Sequence, residues 1–206
     1  MNACIKLTHR DRTTHNGYLW IPGEWRTASG DGPLCSDAYL HGYDTLEVAL
    51  LMNPAHAHIL PADVIVWDAE YRGKRLDGLD GKFGATEMRI LKELPFTLPT
   101  REQCAEFGIL NALWVYHEPG FVHWAEGWLS GRDRTEPAWA SAAWAAARTS
   151  AYAAAASWAR AATAWAAASS WAASAGAAAW ASGRPLPLAE FAYVALHGYR
   201  AGKEER

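Results

Sequence analysis

Residues 63–73 read "DVIVWDAEYRG", and residues 84–94 read "GATEMRILKEL". In the first run Val64, Val66, Asp68 and Glu70 fall on one face, and Ile65, Trp67, Ala69 and Tyr71 on the other, which is the two-residue period of a strand. The second run has the same extended character. Together they predict a sheet, and the short strand-like segments "ACIKLTH" (3–9) and "GYLWI" (17–21) supply further strands. Between them "TASGDGPLCS" carries the Gly, Asp and Pro of a turn-rich loop. "YDTLEVALLMN" (43–53) reads as a helix with Asp44 as its cap and Leu46, Val48, Ala49 and Leu50 as its apolar surface. "HAHIL" (56–60) reads as another strand. The expectation for residues 1–95 is an α+β domain, a small, mostly antiparallel sheet with one packed helix.

From residue 96 the pattern turns helical. Thr100 followed by Gln103 has the spacing of a capping box, and Pro119-Gly120 reads as a stop. "FVHWAEGWLSG" (121–131) predicts a short second helix ending at Gly131. From Ala138 to Ser182 there are 26 alanines in 45 residues, interleaved with Trp139, Trp144, Tyr152, Trp158, Trp165, Trp171 and Trp180. Alanine has the highest helix propensity, and each buried indole supplies area that alanine lacks. Residues 96–206 are therefore expected to form an all-α, Ala/Trp-rich domain. A membrane span over 161–182 is the poorer reading, because its Ser, Thr and Gly match hydrocarbon badly.

Charge narrows the function. The net charge is −3, with 19 acids against 13 Lys+Arg in residues 1–136 and 3 against 6 in 137–206. No clustered basic stripe exists for phosphates, so direct nucleic-acid binding is disfavoured. The charged start "MNACIKLTHRDRTTHNG" does not read as a secretory signal, and Cys4, Cys35 and Cys104 are too scattered for a disulfide framework. A cytoplasmic protein with reduced thiols is expected.

Cys35, His41, His56 and His58 are metal-ligating types without a known spacing, so no metal and no cofactor are expected. Cys35 with His41 as nucleophile and base lacks a third, orienting group. Asp63, Asp68, Glu70, Asp77 and Asp80 form the densest acidic run, read as a solvated sheet edge and loop. "GLDGKFG" (78–84) has a lysine among glycines but not the order of a P-loop.

The run from "GEWRTASGDGPLCSDAYLHGYDTLEVALLMN" to "VIVWDAEYRGKRLDGLDGKFGATEMRILKEL", about residues 22–94, resembles an uncharacterised domain common in phage and prophage proteins. The back half, "YHEPGFVHWAEGWLSGRDRTEPAW" with its alanine tract, is similar to helical segments of immunity proteins from polymorphic toxin systems. What these resemblances imply is a mobile-element protein that inhibits a host defence system, of the anti-CRISPR type, by binding a protein partner such as a CRISPR–Cas subunit. With an acidic front half, such a protein would present Asp31, Asp37, Asp77 and Asp80 where DNA phosphates should lie, and would have no catalytic residues. The alternatives are a toxin-immunity protein, or a small nucleotide-handling enzyme with its pocket near Cys35 and His41. One observation separates them: whether the acids form one patch, or Cys35 and His41 face a cleft.

Overall fold

The computed structural model describes residues 1–115, 117, 119–132, 134 and 187–198. The chain divides into two compact units, Met1–Leu98 and Pro99–Arg206. The first is mixed α+β. Its strands are β1 (Asn2–His9), β2 (Thr13–Thr14), β3 (Tyr18–Leu19), β4 (Arg26–Thr27), β5 (Leu40–Tyr43), β6 (Val64–Asp77) and β7 (Lys82–Glu93), with helix α1 (Leu46–His56) between β5 and β6.

Every strand pair in this unit is antiparallel. β1 pairs with β6 from Asn2↔Tyr71 to His9↔Val64, β6 with β7, β7 with β5, and β5 returns to β1 at Ile5↔Tyr43. The sheet therefore closes into a small ring, with β4 added beside β7. Closure needs curvature, and the β6–β7 ladder supplies it through register shifts at Asp68/Ala69 and between Arg72 and Arg75. Gly73 stands in the second shift at φ 78°, a conformation that few other residues accept.

The alternation in β6 puts Trp67, Ala69 and Tyr71 inside the ring with Cys4, Phe83, Ala85, Met88 and Ile90. Val64 and Val66, on the opposite face, are also buried, and α1 packs on β1 and β5 while burying Val48 to Met52. Thr8 is fully buried and accepts from Trp67 Nε1 at 2.9 Å, so the indole N–H enters the core with a partner.

Three local expectations are corrected. The cap of α1 is Thr45, whose Oγ1 accepts from Val48 N at 3.3 Å, because Asp44 is taken by Arg75 at 2.7 and 2.8 Å. "HAHIL" is not a strand. There α1 runs on to His56, and buried Asn53 holds the exit by donating to Ile59 O and accepting from Ile59 N, with His58 in the left-handed region at φ 56°. "GYLWI" contributes only Tyr18–Leu19 as strand, since Trp20 leaves the ladder to join the ring's core and bonds Thr14 Oγ1 at 3.0 Å.

In the second unit the described elements are α2 (Arg101–Val115), α3 (Pro119–Leu129) and α4 (Leu188–His197). The capping box forms as the spacing predicts: Gln103 N donates to Thr100 Oγ1 at 3.2 Å and Thr100 N to Gln103 Oε1 at 2.8 Å. Pro119 opens α3 rather than marking a stop, since a proline at the first helical position lacks only an N–H that would have no helical partner. α2 packs on α4, where Gln103 Nε2 donates to Leu196 O at 3.0 Å. The Trp/Ala helices expected over Ala138–Ser182 lie outside the described residues. Among those residues no helix is long and apolar enough to cross a membrane.

Candidate functional site

A cavity of about 800 Å³ opens in the first unit, walled by β1, β5, the loop before β5, the β2–β3 turn and the end of α1. Both Cys35 and His41 line it, together with Lys6 and Lys82.

Each group is placed by its strand. In β1 the inward positions are Cys4, Lys6 and Thr8, so the alternation that buries Cys4 also buries Lys6, which is only 7 % exposed. Lys6 Nζ donates to His41 O at 2.7 Å and lies 4.7 Å from the centre of the Trp20 ring. Burial lowers its pKa to about 8, opposed by Cys4 and assisted to a smaller extent by nearby Lys82. Lys82 opens β7 opposite Tyr43, and its Nζ donates to Cys35 Sγ at 3.2 Å. Among the described residues neither lysine has a carboxylate within ion-pair distance.

The loop carrying Cys35 is pinned from several sides. Ser36 Oγ donates to Pro33 O at 2.7 Å, buried Tyr39 gives its hydroxyl proton to Gly30 O at 2.8 Å, and Lys74 Nζ reaches the same carbonyl at 2.7 Å. Gly84 lies so close beneath that a Cβ there would stand 2.6 Å from Tyr39 Cβ and 2.8 Å from Leu34 Cδ1. His41 bonds through Nε2 to Leu34 O, which makes that nitrogen the protonated one. Burial holds its pKa down to about 4, opposed by that hydrogen bond and assisted by Lys6 and Lys82. A neutral ring with its N–H committed to a carbonyl is a weak base, so His41 shapes the wall.

The stronger imidazole arrangement was not singled out as a pair in the sequence. His56, at the end of α1, lies 3.2 Å from Asp80 through Nε2 and stacks on Tyr43 with centroids 5.8 Å apart. Burial pushes the His56 pKa below its usual value although Asp80 pulls it up. Asp80 is itself partly buried, but the hydrogen bond from His56 and the charge of Lys82 outweigh that burial and keep its carboxyl below the ordinary range. The consistent state is a neutral imidazole donating to a carboxylate.

The four acids expected at a partner contact differ in their surroundings. Asp31 is exposed on the loop before β5, and Asp37 is exposed at the cavity's lining. Asp77 ends β6 and pairs with Arg75 at 2.5 Å, and Asp80 belongs to His56. The rest of the acidic run is paired too, Asp63 with His9, Asp68 with Lys92 and Glu70 with Arg89. His58 also lines the cavity, but among the described residues no three His, Cys, Asp or Glu side chains converge as metal ligands.

The sequence signals Lys6 and Lys82 only in part. A lysine at the inward register of "ACIKLTH" is a signal, whereas the lysine of "GLDGKFG" gains meaning only when β7 is set beside β5. No protein-family model matches this chain, and comparison with curated proteins and with solved structures gives no match.

Proposed function

We propose that the first unit is a small-molecule enzyme that binds an organic anion in the cavity beside Cys35 and His41, a nucleotide being one such anion. The observation that supports this best is the pair of lysines lining one concave site with, among the described residues, no carboxylate in ion-pair contact with either side chain. Of the two, Lys6 is buried; a buried positive charge without a counter-ion in contact is costly, and a ligand anion would relieve that cost. The chamber is large enough for a metabolite-sized ligand, and exposed Tyr18 and His15 in its lining offer flat faces for a ring.

A titration calorimetry experiment with adenosine monophosphate, inorganic phosphate and glycolate tests this reading. Saturable binding of at least one of them, weakened by Lys82→Met and by added salt, is the expected result. Failure of all three to bind would remove it. The rival, a defence inhibitor of the anti-CRISPR type acting as a DNA mimic, draws on Asp31 and Asp37, which are exposed and form no ion pair among the described residues. Its other two acids are engaged within the chain. Salt-sensitive binding to a CRISPR–Cas subunit, lost in Asp31→Lys with Asp37→Lys, would favour that rival instead.

A further inference from the structure

We propose that Lys6 is an amine nucleophile that condenses with the carbonyl group of a ligand held in the cavity, which makes the ligand a carbonyl-bearing anion such as a 2-oxo acid or an aldehyde acid. This rests on the reading of the cavity as a site for organic anions and narrows the ligand's class.

The geometry is that of a reactive amine more than of a structural ammonium. Lys6 is buried at an inward position of β1 and lines the cavity, so the same side chain is withdrawn from bulk water and reachable by a ligand. Its partners are a backbone carbonyl, His41 O, and the face of Trp20, which leaves Nζ with unused hydrogen-bonding capacity. One N–H committed to His41 O fixes the direction of the amine while leaving its lone pair free once the proton is lost. Loss of that proton is eased by the surroundings, which bring the pKa to about 8. Lys82 is placed at the same cavity to hold the ligand's negative charge while Lys6 faces its carbonyl.

The step balances without any redox partner. The Nζ lone pair forms a bond to the carbonyl carbon, and the carbonyl oxygen takes up a proton as Nζ gives one up, yielding a carbinolamine. The hydroxyl then leaves as water with one further proton as the C=N bond forms. One amine and one carbonyl yield one imine and one water.

The test uses the full chain with glyoxylate and sodium borohydride, which adds hydride to the imine and leaves a stable secondary amine. Peptide mapping then locates the adduct. The expected result is one saturable adduct at Lys6, forming at least about tenfold faster than at exposed Lys92, since a lowered pKa supplies more free amine near neutral pH. It should vanish in Lys6→Arg, which keeps the charge and the donors towards His41 O, and circular dichroism of that variant would show the fold retained. Glycolate, which lacks the carbonyl, should protect Lys6 competitively. Adducts spread over the surface lysines with Lys6 no faster would overturn the proposal. If glycolate binds and Lys6 stays unlabelled, the anion site stands and the imine falls. If Lys6 labels rapidly without protection by glycolate, the nucleophile stands and the anion reading falls.

Discussion

His56 Nε2 lies 3.2 Å from Asp80 Oδ2, joining the end of α1 to the turn between β6 and β7. The other ring nitrogen, Nδ1, is buried with no hydrogen-bond partner, so protonating the ring would bury an unpaired N–H. Folding therefore favours the neutral ring, and the same holds for His41, whose pKa falls from 6.5 to about 4. When a folded-state pKa is depressed, the unfolded chain binds more protons in the interval, and stability falls as pH drops through it. Urea midpoints should decline between about pH 6.5 and pH 4, and His56→Gln and His41→Gln should each flatten the decline. A midpoint constant over that range would contradict the assignment.

Thr8 and Trp67 test the interior of the ring. Thr8→Val keeps the shape but leaves the buried indole N–H without its acceptor, at a cost of about 1–3 kcal/mol. Chemical denaturation reads the loss directly. An unchanged midpoint would mean that water reaches Trp67 Nε1, contrary to its placement inside a closed sheet.

Much of this architecture was legible because period-two alternation is local. Trp67, Ala69 and Tyr71 announce one face of β6 within five residues, and they do face the core. Ring closure was not legible, since it depends on the shift around Gly73 and on Ile5 meeting Tyr43. The segment at His56–Leu60 misled because alternation there is outweighed by one buried side chain, Asn53, which satisfies both backbone groups of Ile59. The site follows the same rule. Cys35 and His41 are close in sequence and stand out there, whereas Lys6, His56 and Lys82 come from separate elements that only the fold brings to one cavity.

Gly84 couples the sheet to the cavity wall. Its φ is ordinary, so the constraint is space: an added methyl would meet Tyr39 and Leu34 well inside contact distance. Gly84→Ala should cost about 1–3 kcal/mol as an overpacked site and displace the loop that carries Cys35. Ligand affinity should fall with stability, whereas Gly127→Ala, where nothing lies within 4 Å and the backbone is not left-handed, should leave affinity alone. Retained affinity in Gly84→Ala would show that the loop position does not govern binding.

The start of α2 gives a test within the second unit. Thr100→Ala removes one side of the reciprocal cap and should destabilise by about 1 kcal/mol, within the usual range for lost N-caps. Thr100→Ser should restore most of it, because the hydroxyl is what accepts from Gln103 N. Equal loss in both variants would point to the Thr100 methyl instead.

The three cysteines provide a footprint of the cavity. Cys35 is exposed and lines the chamber, while Cys4 and Cys104 are buried. Burial raises the Cys4 thiol to about 12 and the Cys104 thiol to about 11, so neither offers a thiolate near neutral pH. Iodoacetamide should therefore modify the native chain once, at Cys35, and the denatured chain three times. Because Lys82 Nζ donates to Cys35 Sγ, a ligand anion drawn to Lys82 must compete with that contact and cover the sulfur's approach. Saturating ligand should slow the modification, and Lys82→Met should abolish the protection while leaving Cys35 reactive. If Cys35 reacts at the same rate with and without a ligand known to bind, that ligand occupies another surface. If Cys4 reacts as fast as Cys35 in the native chain, the ring of strands is open on the time scale of the experiment.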